Sequence, residues 1–281
     1  MTQTTTTELK TVSVPGSELY TEVRGSGPVL LLITGGPTDA GMFTDLAGRL
    51  ADRYTVVSYD QRGHSRSTLE GEPGDILSAH VEDAAAVLKD ASNEPAYVYG
   101  NSGGGTIGLA LVARHPQLVR TLVAHEPPLF EVLPDAPEWR AKLDDISETY
   151  ATEGVFAAMG KFGAVVEEGG PKYSEEMAQI EPTPESQEMG ARMMDNFDLF
   201  IAHELRPIAG YVPDVDALRA ARTRIVSAAG ETSEEQAARR AAIALAERLD
   251  TDVTYLPGAH GGWGSDPQEF AERLDLALRA P

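Results

Sequence analysis

A serine lies at the centre of a Gly-x-Ser-x-Gly pattern formed by Gly100, Ser102 and Gly104. Strand-like residues 96–99 precede the pattern and an apolar helical pattern over 107–112 follows it, which predicts a strand, a sharp turn and a helix. A backbone that doubles back so tightly needs small residues on both sides of the serine, because a Cβ there would clash. The helix start also directs free N–H groups and a positive dipole end at the serine. We therefore take Ser102 as the candidate nucleophile.

A serine hydroxyl needs a neighbouring base, and that base needs a third group that orients it and stabilises its charge. His260 lies in the glycine-rich stretch 257–263, directly after the last predicted strand. The carboxyl ends of parallel strands share one sheet edge, so His260 is the candidate base. Glu126, at the end of the strand after Ser102 and followed by two prolines, is the favoured third group. Glu231 stays the alternative, although it opens a helix, where an acidic residue has a structural role of its own.

A carbonyl oxygen that gains negative charge needs fixed hydrogen-bond donors. The backbone N–H groups of Gly103 and of Gly36, in the Gly-Gly-Pro turn 35–37, are the candidates for this oxyanion hole. The strand pattern stops over residues 127–213, where methionine and phenylalanine cluster and the pattern becomes helical. Such side chains favour an adaptable apolar pocket. The candidate substrate contacts are Met159, Met193, Phe197, Phe200 and, outside this segment, Trp263.

The remaining sequence alternates strand and helix patterns, which indicates an α/β fold with a mostly parallel twisted sheet flanked by helices and a helical insertion. The polar stretch 60–67 is expected to be a structural turn. We expect a core in two parts, 1–126 and 214–281, separated by the helical segment 127–213. The patterns predict strands near 9–15, 19–23, 28–33, 54–59, 96–99, 121–125, 223–229 and 252–256, and helices near 42–50, 78–89, 233–249 and 267–278.

The composition narrows the classes of function. The 44 acidic and 23 basic residues give a net charge of −21, which disfavours nucleic-acid and membrane-surface partners. Cysteine is absent, so a cysteine nucleophile is excluded. The polar N-terminus, residues 1–8, lacks the apolar core of a signal peptide, and we expect a cytoplasmic protein. We expect neither a cofactor nor a metal, and a homodimer stays open.

Several segments, taken in chain order, resemble the α/β-hydrolase superfamily. They are residues 34–37 (Thr-Gly-Gly-Pro), 60–67 (Asp-Gln-Arg-Gly-His-Ser-Arg-Ser), 100–104 (Gly-Asn-Ser-Gly-Gly) and His260. The resemblance implies that the helical segment is a cap domain over the active site. It also implies serine hydrolase chemistry, because relatives that open epoxides or displace halide have aspartate at the nucleophile position.

Two departures from the family pattern refine this expectation. Thr34 stands where many members have histidine, and no aspartate follows Gly230. The stretch with His125, Glu126 and Pro128 is similar to that of zearalenone-type lactone hydrolases, which place a glutamate acid after the same strand. The resemblance therefore implies a Ser-His-Glu hydrolase of a small, largely apolar ester or lactone. The alternatives are an aminopeptidase like the proline iminopeptidases, with an acid of the helical segment holding the substrate amine, and a catalytically silent ligand-binding protein.

Overall fold

Eight strands form one sheet within residues 6–170 and 183–280, the part of the chain that the computed structural model describes. Residues 1–5 of the polar N-terminus and residues 171–182 of the helical segment lie outside it. The strand order is β1-β2-β4-β3-β5-β6-β7-β8, antiparallel from β1 to β4 and parallel from β4 onward. The strands are β1 Thr7–Val14, β2 Ser17–Gly25, β3 Val29–Ile33, β4 Thr55–Tyr59, β5 Ala96–Asn101, β6 Val119–His125, β7 Arg224–Gly230 and β8 Thr254–Leu256.

Helices cover both faces of this sheet, and their core members are α1 Thr44–Leu50, α2 Ile76–Ala91, α3 Gly103–Arg114, α8 Val215–Ala220, α9 Ala237–Leu249, α10 Gly262–Ser265 and α11 Pro267–Arg279. Successive residues of β3 show how the two faces are filled, because side chains alternate along a strand. Leu31 and Ile33 belong to the apolar cluster with α2, α3 and α9, whereas Leu30 and Leu32 belong to the cluster with α1 and α11. Both faces are buried, which explains the continuous apolar run. The predicted α/β fold is confirmed.

Residues 127–213, which we call the inserted segment, are helical or irregular wherever the structure describes them. The helices are α4 Ala136–Glu153, α5 Val155–Glu167, α6 Pro184–Asp195 and α7 Leu205–Ala209, with a short turn Phe197–Leu199 and a π-helical turn Phe200–Glu204 between the last two. The division into a core and a separate domain remains a prediction. None of the described helices is long and apolar enough to cross a bilayer.

Candidate active site

Ser102 occupies the sharp turn between β5 and α3. Its backbone has φ 54° and ψ −123°, a region that non-glycine residues rarely adopt and that the surrounding structure must enforce. The Ser102 N–H donates to the carbonyl of His125 at 2.9 Å, which ties the turn to the end of β6. A side chain at Gly104 would collide with the carbonyl of Ile33. The absence of a side chain at Gly104 therefore lets the turn pack against β3.

His260 follows β8, and its Nδ1 lies 2.7 Å from Oε2 of Glu126. Glu126 directly follows β6, has a left-handed φ of 46° and is fully buried. Its other oxygen, Oε1, accepts a hydrogen bond from the Gly230 N–H at 2.8 Å. Burial, the largest single cause, raises the pKa of Glu126, but the hydrogen bond and charge of His260, together with His125 and Ser233, lower the pKa to about 2. The carboxylate is therefore charged at neutral pH and can orient the imidazole.

Glu231, the alternative acid, lies elsewhere. Its side chain is 44% exposed and its Oε1 lies 3.3 Å from a guanidinium nitrogen of Arg273. The structure thus brings Glu126 to His260 and leaves Glu231 in a surface ion pair.

Two neighbours hold the backbone and ring of His260. The Asn101 side-chain amide donates to the His260 carbonyl at 3.2 Å and to Nδ1 of His125 at 2.9 Å. The His125 ring stacks on the His260 ring with 6.4 Å between centroids. Burial lowers the pKa of His125 to about 4, so this ring is neutral and adds no charge beside His260. Sequence reasoning did not anticipate this role for Asn101.

The two predicted oxyanion donors are close to each other and to Ser102. A Cβ added to Gly103 would lie 3.7 Å from the Gly36 nitrogen, and one added to Gly35 would lie 2.6 Å from the Gly103 nitrogen. Neither the Gly36 nor the Gly103 N–H has a hydrogen-bond partner among the described residues. Two free donors beside a serine can bind an oxygen that gains negative charge.

Two cavities meet at Gly36, Ser102 and His260. The smaller, of about 50 Å³, is lined mainly by apolar side chains of the inserted segment, namely Leu143, Phe162, Val165, Phe200, Leu205 and Ile208. The larger, of about 420 Å³, is bounded by the 34–38 loop and by the His260 loop through Ser265. The candidate nucleophile and base therefore face one narrow apolar space and one wide space.

Of the predicted substrate contacts, Phe200 lines the smaller cavity and Trp263 lines the larger one. Met159, Met193 and Phe197 line neither. Met159 lies about one turn before Phe162 on α5 and packs against the apolar core. Phe197 instead pairs with the ring of Phe156, at 6.3 Å between centroids. Helical periodicity had indicated an apolar face but not which turn of that face reaches Ser102.

The acids of the inserted segment that could hold a substrate amine include Glu167, Glu168 and Glu204. Glu204 accepts hydrogen bonds from His64 and His80, both at 2.9 Å, and all three side chains are buried. Glu168 pairs with Lys142. Glu167 does line the larger cavity.

Comparison with known sequences agrees with this fold. Residues 28–187 match the sequence model of the alpha/beta hydrolase fold family. The chain therefore belongs to the α/β-hydrolase superfamily. A protein named "Uncharacterized hydrolase YraK" from Bacillus subtilis (strain 168) is 36% identical over 272 residues, which cover 94% of this chain and 93% of that protein.

Two solved structures share the fold at lower identity. A thermophilic esterase from Thermogutta terrifontis has a TM-score of 0.73 and 19% identity, covering 99% of this chain and 98% of that one. Est816, described as an N-acyl homoserine lactone degrading enzyme, has a TM-score of 0.71 and 22% identity, covering 95% and 99%. At these identities the likeness concerns the fold.

Proposed function

We propose that the protein is a serine hydrolase of carboxylic esters or lactones that acts through an acyl-enzyme. The observation that carries the proposal is the 2.7 Å contact between buried Glu126 and His260. His260 and Ser102 line the same cavity. Est816 and the Thermogutta esterase act on lactones and esters according to their descriptions, which supports the bond type.

The chemistry follows from the roles of these groups. Ser102 Oγ attacks the carbonyl carbon while His260 takes its proton, and Glu126 stabilises the imidazolium that forms. The N–H groups of Gly36 and Gly103 bind the oxyanion. His260 then returns the proton to the leaving oxygen as the carbon–oxygen bond breaks. Water, activated by the same histidine, hydrolyses the acyl-enzyme and frees Ser102.

The two cavities suggest how the substrate lies. The leaving oxygen must face His260, which gives it a proton. Both cavities reach His260, and we place the leaving group in the wide one because the His260 loop, residues 258–265, lines it. The acyl chain then occupies the small cavity lined by apolar residues of the inserted segment, which acts as a cap. A largely apolar acyl group and an uncharged leaving group fit this arrangement, and the net charge of −21 disfavours polyanionic substrates.

Labelling with a small fluorophosphonate, followed by intact-mass measurement, tests the proposal on the wild type and on Ser102→Ala. We expect one label per wild-type chain, none on Ser102→Ala, and turnover of nitrophenyl esters by the wild type only. A folded wild-type protein that takes up no label would contradict the activated serine. Saturable ligand binding without product would then favour the silent ligand-binding protein.

The aminopeptidase alternative rests on Glu167, because this acid lines the larger cavity where a substrate amine would lie. Turnover of proline nitroanilide that exceeds ester turnover and is lost in Glu167→Gln would favour it. A wild type that hydrolyses esters but does not turn over proline nitroanilide would exclude it.

A further inference from the structure

Most carbonyl groups of the loop that carries Gly36, residues 34–39, accept hydrogen bonds. The Thr34 carbonyl accepts from Gln61 Nε2 at 2.7 Å, and the Gly35 carbonyl accepts from Thr38 Oγ1 at 2.8 Å. The first contact comes from the core and the second lies within the loop itself. The carbonyls of Pro37 and Thr38 are bound by side chains that belong to the inserted segment or contact it.

Asn196 holds the first of these carbonyls. This side chain lies between α6 and the Phe197–Leu199 turn and is 1% exposed. Its Nδ2 donates to the Pro37 carbonyl at 3.2 Å and to Ser65 Oγ at 3.1 Å, while its Oδ1 accepts from the Ser65 N–H at 2.7 Å. Because Oδ1 must face that N–H, the amide nitrogen can only point toward the Gly36 loop.

His64 holds the second carbonyl and is itself held by the inserted segment. Its Nδ1 lies 3.4 Å from the Thr38 carbonyl and its Nε2 lies 2.9 Å from Glu204 Oε2. Both ring nitrogens therefore face acceptors, and a doubly protonated ring can donate to both. Burial, the largest single cause, lowers the pKa of His64, but the charge and hydrogen bond of Glu204, together with the Thr38 carbonyl and Asp60, raise it. Glu204 thus fixes the ring that binds the loop.

A third contact joins the same two parts. Arg192 Nε on α6 donates to Asp39 Oδ2 at 2.8 Å, and the other oxygen of Asp39 accepts from the Gly41 N–H at 2.8 Å. The end of the loop is therefore also attached to the inserted segment.

We propose that Asn196, aided by Glu204 through His64, positions the Gly36 N–H, so that the inserted segment assembles the oxyanion hole besides lining the pocket. This inference rests on the proposed serine hydrolase function. Asn196 is a positioning residue, since it touches the carbonyl next to Gly36 and not the substrate. Because an oxyanion donor acts in the transition state, its displacement lowers kcat and leaves KM nearly unchanged.

Steady-state kinetics of Asn196→Ala on a nitrophenyl ester that the wild type hydrolyses tests the inference. Removing an oxyanion donor costs about 10²–10³-fold in kcat, and a misplaced one should cost about tenfold or more. We expect that fall with KM within about twofold. The matched control is Tyr150→Phe, which removes the hydrogen bond from Tyr150 to Asp198 inside the inserted segment and should keep the wild-type kcat.

Asn196→Asp provides a second readout that a purely structural role would not move. A buried carboxylate has a raised pKa, and only its protonated form can donate to the Pro37 carbonyl. The ratio of its kcat to that of the wild type should therefore rise as the pH falls. Unchanged kcat in both variants, or a rise in KM alone, would overturn the inference. The proposed function would still stand in that case, because the wild type turns over the ester. If the wild type shows neither ester turnover nor fluorophosphonate labelling, this result contradicts the proposed function instead.

Discussion

Glu126 reaches His260, with 2.7 Å between Oε2 and Nδ1, although the whole of β7 separates β6 from β8 in the sheet. The glutamate side chain crosses the end of β7, where Gly230 presents no side chain and donates its N–H to the same carboxylate. A glutamate side chain is long enough to reach His260, and the absence of a side chain at Gly230 leaves room for it.

Replacing the acid should therefore remove most of the activity. Glu126→Gln keeps the size of the side chain but removes the charge that stabilises the imidazolium, and we expect kcat to fall about 10³-fold or more. Glu231→Gln is the matched control, because that acid pairs with Arg273 on the surface, and it should stay within about twofold of the wild type. Steady-state ester kinetics of the two variants test this prediction. A large loss of kcat in Glu231→Gln alone would make Glu231 the acid.

The close approach of the Gly36 loop to Ser102 should make position 35 intolerant of a side chain. In Gly35→Ala the new Cβ would lie 2.6 Å from the Gly103 nitrogen, so the loop must shift, and we expect losses of both kcat and thermal stability. Gly48→Ala is the control. Gly48 is exposed on α1 with open space around it, and the alanine should stabilise the protein by about 0.5–1 kcal/mol. Wild-type kcat in Gly35→Ala would show that the loop does not need this geometry.

The small cavity should select the acyl chain. Ile208→Ala enlarges the cavity beside Gly103, and we expect kcat/KM to shift toward longer acyl chains, by about tenfold or more per well-placed methylene group. The change should also destabilise the protein by about 2–5 kcal/mol. Leu218→Ala removes a similarly buried side chain away from either cavity, so it should cost stability without altering the acyl preference. An altered leaving-group preference in Ile208→Ala would instead put the leaving group in this cavity.

Stability should depend on pH through Glu204 and His64. The two histidines lower the pKa of Glu204 to about 2 from 4.5, so its contribution is complete above pH 4.5 and is lost as the pH falls toward 2. The pKa of His64 is raised from 6.5, so its contribution is complete below pH 6.5 and is lost as the pH rises through the raised value. The melting temperature of Glu204→Gln should therefore lie furthest below that of the wild type between pH 4.5 and 6.5.

Breaking a buried pair of this kind costs about 3–5 kcal/mol. The control for the melting curves is Glu82→Gln, which removes the partner of His115 at the surface and should change stability by no more than about 1 kcal/mol. A difference for Glu204→Gln that does not vary with pH would contradict the ionic description of the cluster.

The sequence predicts the sheet well because strands buried on both faces form continuous apolar runs. Helix starts are harder to predict. The helix predicted from residue 42 starts as a 3₁₀ turn at Ala40, where the side chain of Asp39 caps Gly41. The helix predicted from residue 233 begins at Ala237, after a turn in which the Gln236 N–H donates to the Ser233 carbonyl. These local hydrogen bonds leave no trace in hydrophobic periodicity.

The candidate site likewise contains residues that the sequence predicts and residues that it does not. Ser102, Glu126 and His260 follow from strand ends, because topology alone brings those ends to one edge. The cluster of His64, His80 and Glu204 could not be predicted, since its members come from three distant segments and meet only through tertiary packing. Residues 60–67 were expected to be a structural turn, and His64 within them contacts the loop of Gly36.

The absence of a side chain at Gly230 also limits which residues this position can accept. A side chain at that position would place its Cβ 2.7 Å from the Gly258 carbonyl and 2.5 Å from Ser233 Oγ, so an acid cannot simply be gained there by mutation. An acid at position 230 would require the loop of Gly258 and the turn of Ser233 to move first. The proposed role of Glu126 as the acid therefore depends on position 230 staying a glycine.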